Sequence, residues 1–449
     1  LEMSIRSAIS KRRLFLVCLD IAAIAAAYTL AFFLRPDFFG IAADRISFLL
    51  SSCMVFAILF YIFDLYYPFK IFRAAQTLID VTISVSIGSV IMAACSYANR
   101  SFTVPRTVFV YSTSLIIPFV YLIRLIYDFI FKYRFLDKKA LIIGTGPLAT
   151  EIAKVIRDTH HSGIEIVGLV CETKKNHGDR KNGIPVLGGI SELVSLIDWY
   201  KVELVILALD PSLEVSEASL MSDLMKKGAS VTSAIHLFES IQGEVPYQLL
   251  GSHYLLGLMS QVKTRPYLKL KRFMDLLLGG GLLLILSPVF LITLALMSLT
   301  TKDSVFFIQD RIGKDGKPFR LIKFRSMKEI KKGKMVVTKF GQFMRRYRID
   351  EIPQLLNVLK GDMSLIGPRP EIPYFVSRSR KRIPFYDTVF SVKPGLTGWA
   401  QVKFRHATSI KDYNQKFRYN LYYLKNISLS QDLVILLKTI RVVLLGSGK

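Results

Sequence analysis

Residues 276–301 read LLLGGGLLLILSPVFLITLALMSLTT, an uninterrupted run without a charge. By length alone the run suffices to cross a hydrocarbon core of about 30 Å as helix. Such a crossing would separate everything after it from everything before it. Three features argue otherwise. Ser287-Pro288 stands in the middle, where proline removes a hydrogen bond and kinks or breaks a helix. The arm before the break, Leu276 to Leu286, is only about 16 Å long as helix. Both flanks are basic, with Lys263, Arg265, Lys269, Lys271 and Arg272 before and Lys302, Arg311, Lys314 and Lys317 after, which places both ends on the cytoplasmic side. The expectation is a re-entrant helical hairpin that dips into one leaflet and returns, with the Ser287 hydroxyl a candidate partner for backbone groups freed at Pro288.

Toward the N-terminus, four further apolar segments follow one another: Leu14 to Leu34, Ile46 to Phe63, Val81 to Ala98, and Val108 to about Phe131. Each is about long enough to span a membrane. Lys and Arg in the short connections set the orientation. Arg6, Lys11, Arg12, Arg13, Lys70, Arg73, Lys132, Arg134, Lys138 and Lys139 share one side, against Arg35, Arg45, Arg100 and Arg106 on the other, so both ends of this bundle are expected in the cytoplasm. Asp20 is an acid inside the first segment, and its expected role is to snorkel or to pair with Arg12 or Arg13. Leu1-Glu2, ahead of Met3, are read as an expression remnant, and no cleavable signal is expected. Cys18, Cys53, Cys95 and Cys171 have no metal spacing and form no disulfide framework. At 449 residues and a mean hydropathy of +0.38, the chain has room for two or three domains and is too apolar for an ordinary soluble protein.

The pattern changes at Lys138. Lys139 to Ile143 reads as a buried strand, Gly144-Thr145-Gly146 as a tight turn, and Pro147 to about Ile156 as a helix. Strand-like runs recur at Ile164 to Cys171, Val202 to Leu209 and Ser230 to Ile235, alternating with helical patterns at Ser191 to Trp199 and Leu213 to Lys227. Such alternation predicts a Rossmann-like parallel sheet. Gly144, Gly146 and Ala149 form a GxGxxA pattern that can seat a pyrophosphate, with Glu172 placed to take a ribose hydroxyl, though small residues there also simply permit close packing of helix on strand. The domain boundaries read as 1–137 for the bundle, 138–241 for the Rossmann-like domain, 242–262 for a connection, and 263–449 for the remainder.

That remainder carries 36 Lys and Arg against 12 Asp and Glu, almost all of the chain's net charge of +26. Beside a membrane anchor, such charge predicts contact with anionic lipids, and no nucleic-acid recognition motif accompanies it. Within it lies RRYRIDEIPQLLNVLKGDMSLIGPRP, Arg345 to Pro370. Asp350 and Glu351 precede Pro353 and a helical apolar pattern. Pro353 biases Ile352 away from helical geometry, so the acids are expected at a helix entrance with free backbone N–H groups, crowded by Arg345, Arg346 and Arg348. A carboxylate among cations that also hold a phosphorylated substrate suits phosphoryl chemistry, whereas an isolated Asp-Glu pair is ordinarily a solvated helix start. No P-loop or metal spacing of the six His supports ATP-driven or zinc chemistry.

The order of these pieces, with Gly367-Pro368-Arg369-Pro370 after the acids, resembles the bacterial polyprenyl-phosphate glycosylphosphotransferases. Phe306 to Gly313, Phe319 to Met327, Lys393 to Gln401 and Asn420 to Asn426 are similar to further blocks of that family. Tyr347-Arg348-Ile349 departs from the small hydroxyl residue and Leu that many relatives carry before the acids. The resemblance implies a membrane α plus α/β protein: a four-helix transmembrane bundle, a Rossmann-like domain, and a mainly helical monotopic catalytic domain anchored by a Ser-Pro-broken re-entrant helix. It implies transfer of a sugar-1-phosphate from a UDP-sugar to a polyprenol phosphate such as undecaprenyl phosphate, with release of UMP. This would be the first membrane step of exopolysaccharide, capsule or O-antigen synthesis, at the cytoplasmic face of the bacterial inner membrane. Asp350 would be the nucleophile, Glu351 with Asp350 would hold Mg²⁺, and Arg311, Lys323, Arg325, Arg345 and Arg369 are candidate phosphate clamps. Relatives of this size suggest a homodimer. Two rival functions remain at this stage: a glycosyltransferase that releases UDP, and a non-catalytic nucleotide sensor of a polysaccharide assembly machine.

Overall fold

The computed structural model describes residues 3–34, 42–67, 74–98, 106–132, 137–159, 163–171, 180–208, 224, 229–250, 255, 257, 266–300, 303–331, 334–404 and 410–444. Contacts divide the chain into two units, residues 1–242 and 243–449.

The first unit opens with four apolar helices: α1 (Met3–Phe33), α2 (Ala42–Ile62), α3 (Ala74–Ala98) and α4 (Arg106–Lys132). Among the described residues of this unit the stretches long and apolar enough to cross a membrane are Arg13–Phe33, Ala75–Tyr97 and Arg106–Ile130, with Ile46–Ile62 a shorter apolar helix; Tyr267–Thr300 in the second unit is a fourth such stretch. Asp20 is fully buried, and among the described residues its ion-pair partner is not Arg13. Arg124, on α4, donates to both carboxylate oxygens, at 3.0 and 2.5 Å. Its guanidinium also lies over the Tyr66 ring. The local pairing anticipated from sequence fails because Asp20 faces into the bundle, where a buried charge is tolerable only beside an opposite one.

After the bundle a six-stranded sheet has the order β3-β4-β2-β1-β5-β6. Its strands are β1 (Lys138–Ile143), β2 (Ile164–Cys171), β3 (Arg180–Lys181), β4 (Ile184–Gly189), β5 (Leu204–Leu207) and β6 (Ser230–Ser233). Every pairing is parallel except β3 with β4. Helices α5 (Pro147–Asp158), α6 (Leu193–Tyr200) and α7 (Ala234–Gln242) accompany the sheet, giving the Rossmann-like domain. Gly144 has φ 119°, a turn that side chains resist, and Gly146 caps α5 with open space where a Cβ would stand. Glu172 and most of the helix expected over 213–227 lie outside the described residues.

The second unit is built on α8 (Tyr267–Thr300), 34 residues with Pro288 inside it. The Ser287 hydroxyl donates to Leu284 O at 2.7 Å, the carbonyl that Pro288 leaves without its helical partner. Residues along the whole of α8 pack on the unit. Asp275 accepts from Ser364 Oγ and Leu365 N, both at 2.9 Å. Arg272 donates to Val358 O and Leu359 O, capping the helix α10 (Gln354–Lys360). Further along, Leu283, Leu286 and Phe290 pack on the main core, and Met297 joins Phe324 and Met344 in a second cluster. Leu277, Leu284, Ile285, Leu291 and Ile292 stay exposed on the other face. Val245, Tyr247 and Leu255, within the stretch read as a connection, also belong to the main core.

A buried polar lock joins the start of α8 to the C-terminal helices α13 (Ile410–Lys425) and α14 (Leu429–Leu444). Asp432 accepts from Lys271 Nζ at 2.5 Å and Tyr267 OH at 2.8 Å on one oxygen, and from Tyr423 OH at 3.0 Å on the other. Asp432→Ala strands a buried lysine, so a loss of about 3–5 kcal/mol of stability is expected, read as a lowered thermal midpoint of the detergent-purified protein. The Lys271→Met/Asp432→Leu double variant is expected to regain most of it.

Candidate active site

The two acids lie in a tight reversal. Helix α9 (Lys339–Arg346) is capped by Thr338, whose hydroxyl accepts from Gly341 N at 2.9 Å. Arg348 then takes a left-handed conformation, φ 57°, and Ile349–Glu351 form a single 3₁₀ turn leading into α10. Ile352 is helical, φ −54° and ψ −40°, against the expectation for a residue before proline. Its side chain is buried in the main core, and its N–H closes the 3₁₀ turn on Ile349 O, which outweighs the steric preference. The expected free N–H groups are likewise absent at several positions. Those of Glu351, Ile352, Leu355 and Leu356 already donate to Arg348, Ile349, Ile352 and Pro353 carbonyls. Positive charge therefore reaches the acids through side chains.

Glu351 takes most of it. Lys323 Nζ lies 3.2 Å from one oxygen, Arg348 Nη1 3.0 Å from the other, and Arg369 Nη1 3.6 Å from the first. Burial alone would raise this carboxyl, but Lys323, Arg369 and Arg348 together hold it at about 2. Asp350, buried to the same degree, makes no hydrogen bond or ion pair with any described residue. Burial first, then the charge on Glu351, push it above the usual aspartate value, against Lys323, Arg345 and Arg348. Two neighbouring carboxylates thus have divided roles: one neutralised by three cations, one unpaired and facing a cavity of about 550 Å³.

The strands β7 (Phe306–Ile312) and β8 (Pro318–Phe324) pair antiparallel and supply one wall. Alternation of side chains brings Phe307, Gln309 and Arg311 to the cavity from β7, with Lys323 and the following Arg325 from the other strand's end. Asn357 of α10 fixes β8 against the acids, accepting from Ile322 N and donating to Arg320 O. All five basic residues anticipated from sequence, Arg311, Lys323, Arg325, Arg345 and Arg369, line the cavity with Asp350 and Glu351. All five have protein partners: Lys323 and Arg369 lie on Glu351, Arg311 donates to Pro370 O and Gln309 Oε1, Arg325 to Ser304, and Arg345 to Ser326 Oγ at 2.8 Å. Arg346 instead lies over the Tyr347 ring, and the cavity lining does not include it.

Sequence reasoning did not select Arg348, Glu371, Gln401, Tyr413 or Lys416 as site residues, and all five line the cavity. Glu371 pairs with Lys416, and Lys416, Arg369 and Arg311 hold the Glu371 carboxyl below its usual value although burial opposes them. Lys323, Glu351, Arg369, Glu371 and Lys416 thus form a series of alternating charge. Adjacency gave a signal for Arg348 and Glu371, beside the acids and beside Pro370. Lys416 had none, because it arrives from α13. For Mg²⁺ the fit rests on donor chemistry: Asp350 and Glu351 offer two adjacent carboxylates, and no group of three or more metal-binding side chains occurs among the described residues. That ligand count suits an ion that arrives with phosphate oxygens.

The second unit thus combines a helix long and apolar enough to cross a membrane with an unpaired buried aspartate facing a cationic cavity. Residues 259–446 match the family described as bacterial sugar transferase, and residues 61–232 match the CoA-binding domain family. The uncharacterized sugar transferase EpsL of Bacillus subtilis is 42% identical over 190 residues, 40% of this chain and 89% of that one. The UDP-N-acetylgalactosamine-undecaprenyl-phosphate N-acetylgalactosaminephosphotransferase of Aeromonas hydrophila is 41% identical over 219 residues, and the match spans 47% of this chain and about half, 51%, of that relative. The UDP-glucose:undecaprenyl-phosphate glucose-1-phosphate transferase of Escherichia coli is 29% identical over 326 residues, 67% of each chain. The chain belongs to the bacterial sugar transferase family.

Glu351 ties the site to acid stability. Its carboxyl is lowered to about 2 when folded, against an ordinary value near 4.3. Its contribution is fully present above the ordinary value and is lost as pH falls toward 2. Unfolding midpoints measured from pH 6 to pH 2.5 are expected to fall along this window. In Glu351→Gln the midpoint should be lower at pH 6 and its decline with acid shallower.

Proposed function

We propose that the chain transfers a sugar-1-phosphate from a UDP-sugar to a polyprenol phosphate through a covalent intermediate on Asp350. The observation that carries this reading is the contrast within the pair: Glu351 bound by three cations, Asp350 without a partner at the cavity wall. In the first step an Asp350 oxygen attacks the phosphorus bearing the sugar. The bond from that phosphorus to the bridging oxygen breaks, and UMP leaves with the bridging oxygen and its electron pair. In the second step a phosphate oxygen of the lipid attacks the same phosphorus, and Asp350 departs as a carboxylate. No proton has to move in either step, so positioning and charge neutralisation are the tasks left to the protein.

Lys323, Arg345, Arg348, Arg369 and Arg311 supply that neutralisation around the phosphates. Mg²⁺, held by Asp350 and Glu351 together with phosphate oxygens, would add further charge compensation when bound. Relatives carry names with UDP-N-acetylgalactosamine, UDP-glucose and UDP-galactose as donors, so these three are the donors to test first. Asp350→Asn should reduce UMP release from every UDP-sugar by more than about 10³-fold. Mass spectrometry of the wild-type protein, quenched without acceptor, should find a phosphosugar on the peptide containing residue 350. Unimpaired turnover in the variant, or UDP in place of UMP as the product, would sink the reading.

The same proposal places the catalytic unit on the cytoplasmic face, with α8 entering one leaflet and turning back at Ser287-Pro288. Packing along α8 from Lys271 to Met297 on one unit supports this, as do the basic residues at both of its ends. Lys269→Cys and Asp303→Cys, each in a chain lacking the four native cysteines, are expected to react with a membrane-impermeant thiol reagent only after cells are opened. Labelling of either in intact cells contradicts the placement.

A further inference from the structure

One wall of the cavity has no part in the transfer chemistry. Gln401 lines it, and both polar atoms of its carboxamide, Oε1 and Nε2, are shielded from solvent without a hydrogen-bond partner among the described residues. No other described side chain carries two such atoms. Leaving a buried donor and acceptor unmade is unfavourable, and such pairs need a partner to account for them.

The backbone that carries Gln401 is closely fixed. It sits on α12 (Trp399–Lys403), immediately after a crossing of two chain segments, β11 (Ser364–Ile366) with β12 (Gly395–Thr397). Gly367 N donates to Thr397 O at 2.9 Å and Gly395 N to Pro368 O at 2.8 Å. The crossing is so close that a Cβ at Gly395 would stand 2.0 Å from Gly367 N, and one at Gly398 2.0 Å from Gly367 O. Trp399 then anchors the short helix, donating to Gly243 O at 2.7 Å and stacking on Tyr422. The segment that brings Arg369 to Glu351 is therefore the same one that fixes Gln401 on the cavity wall.

We propose that Gln401 is the residue that reads the uracil of the nucleotide-sugar. A carboxamide offers one acceptor and one donor side by side. The imide edge of uracil offers the complement, an N3–H beside a carbonyl on the same side of the ring. An acetamido group on the sugar is a trans amide whose N–H and C=O point in opposite directions, so it cannot meet both atoms at once. Oε1 accepts from N3–H and Nε2 donates to a ring carbonyl, which satisfies both orphaned atoms. Gln401 makes no contact with the reacting phosphorus in this assignment and determines donor specificity alone.

The inference rests on a uridine nucleotide being the donor, and the test separates the two. Binding of UMP and of N3-methyl-UMP to the purified full chain is measured for wild type, Gln401→Ala and the isosteric Gln401→Glu, alongside KM for UDP-sugar and for polyprenol phosphate. UMP is expected to bind at least about tenfold more weakly to both variants, because a site built to pair a polar edge rejects a partner lacking it. N3-methylation should cost wild type a similar factor and cost Gln401→Ala little more. KM should rise alike for all UDP-sugars, with the acceptor KM unchanged. UMP binding to Gln401→Ala within twofold of wild type overturns the assignment, as does a methylation penalty that persists in full in that variant. A changed ranking among UDP-sugars with unaltered UMP binding also overturns it. Wild-type protein that binds no UMP overturns the donor itself. An unchanged thermal midpoint for Gln401→Glu shows that its weaker binding is not misfolding.

Discussion

A carboxylate removed from water must be paired or it takes up a proton, and this site applies that constraint unequally to two adjacent residues. Lys323, Arg348 and Arg369 all converge on Glu351, which consumes the nearest cations and leaves Asp350 without a direct partner. The arrangement depends on three separate chain segments: β8 for Lys323, the left-handed turn for Arg348, and the proline-flanked turn for Arg369. Glu351 is therefore the point at which the second unit's tertiary structure is registered. A carboxylate held close to cations but bonded to none of them keeps its lone pairs free and is still electrostatically supported.

The membrane helix belongs to the same construction. Phe290 of α8 lies against Phe306 and Phe324, and Phe324 in turn lines the cavity. Met297 belongs to the cluster on which Ile349, next to the acids, packs, while Asp275 holds the strand that leads to Gly367. Apolar side chains thus run from the lipid-facing helix to the wall of a strongly cationic site. An apolar surface and a strongly cationic one thus meet in a single cavity.

Much of this was legible where the signal is local. The apolar runs, the strand of Ile164 to Cys171, the glycine turn after β1, and the acids with Arg345 just before them announce themselves within a few positions of sequence, whereas Arg311, Lys323, Arg325 and Arg369 were legible only through the family resemblance. What escaped was carried by long-range geometry. Asp20 finds Arg124 more than a hundred residues away, and Lys416 reaches Glu371 from another helix. The β4 strand is disguised by Pro185 and by Gly188-Gly189, which break the apolar alternation that marks its neighbours. At Ile352 a steric preference gave way to burial, which no reading of the dipeptide Ile-Pro reveals.

The ion pair between α1 and α4 bears on how the protein is made. The first helix emerges from the ribosome with an aspartate whose arginine has not yet been synthesised, and it stays exposed until the fourth helix arrives. Until then neither segment is comfortable alone in lipid. Biogenesis of the bundle is accordingly a matter of retention: the insertion machinery has to shelter the early helix while two others pass, and the late one completes the assembly by neutralising it.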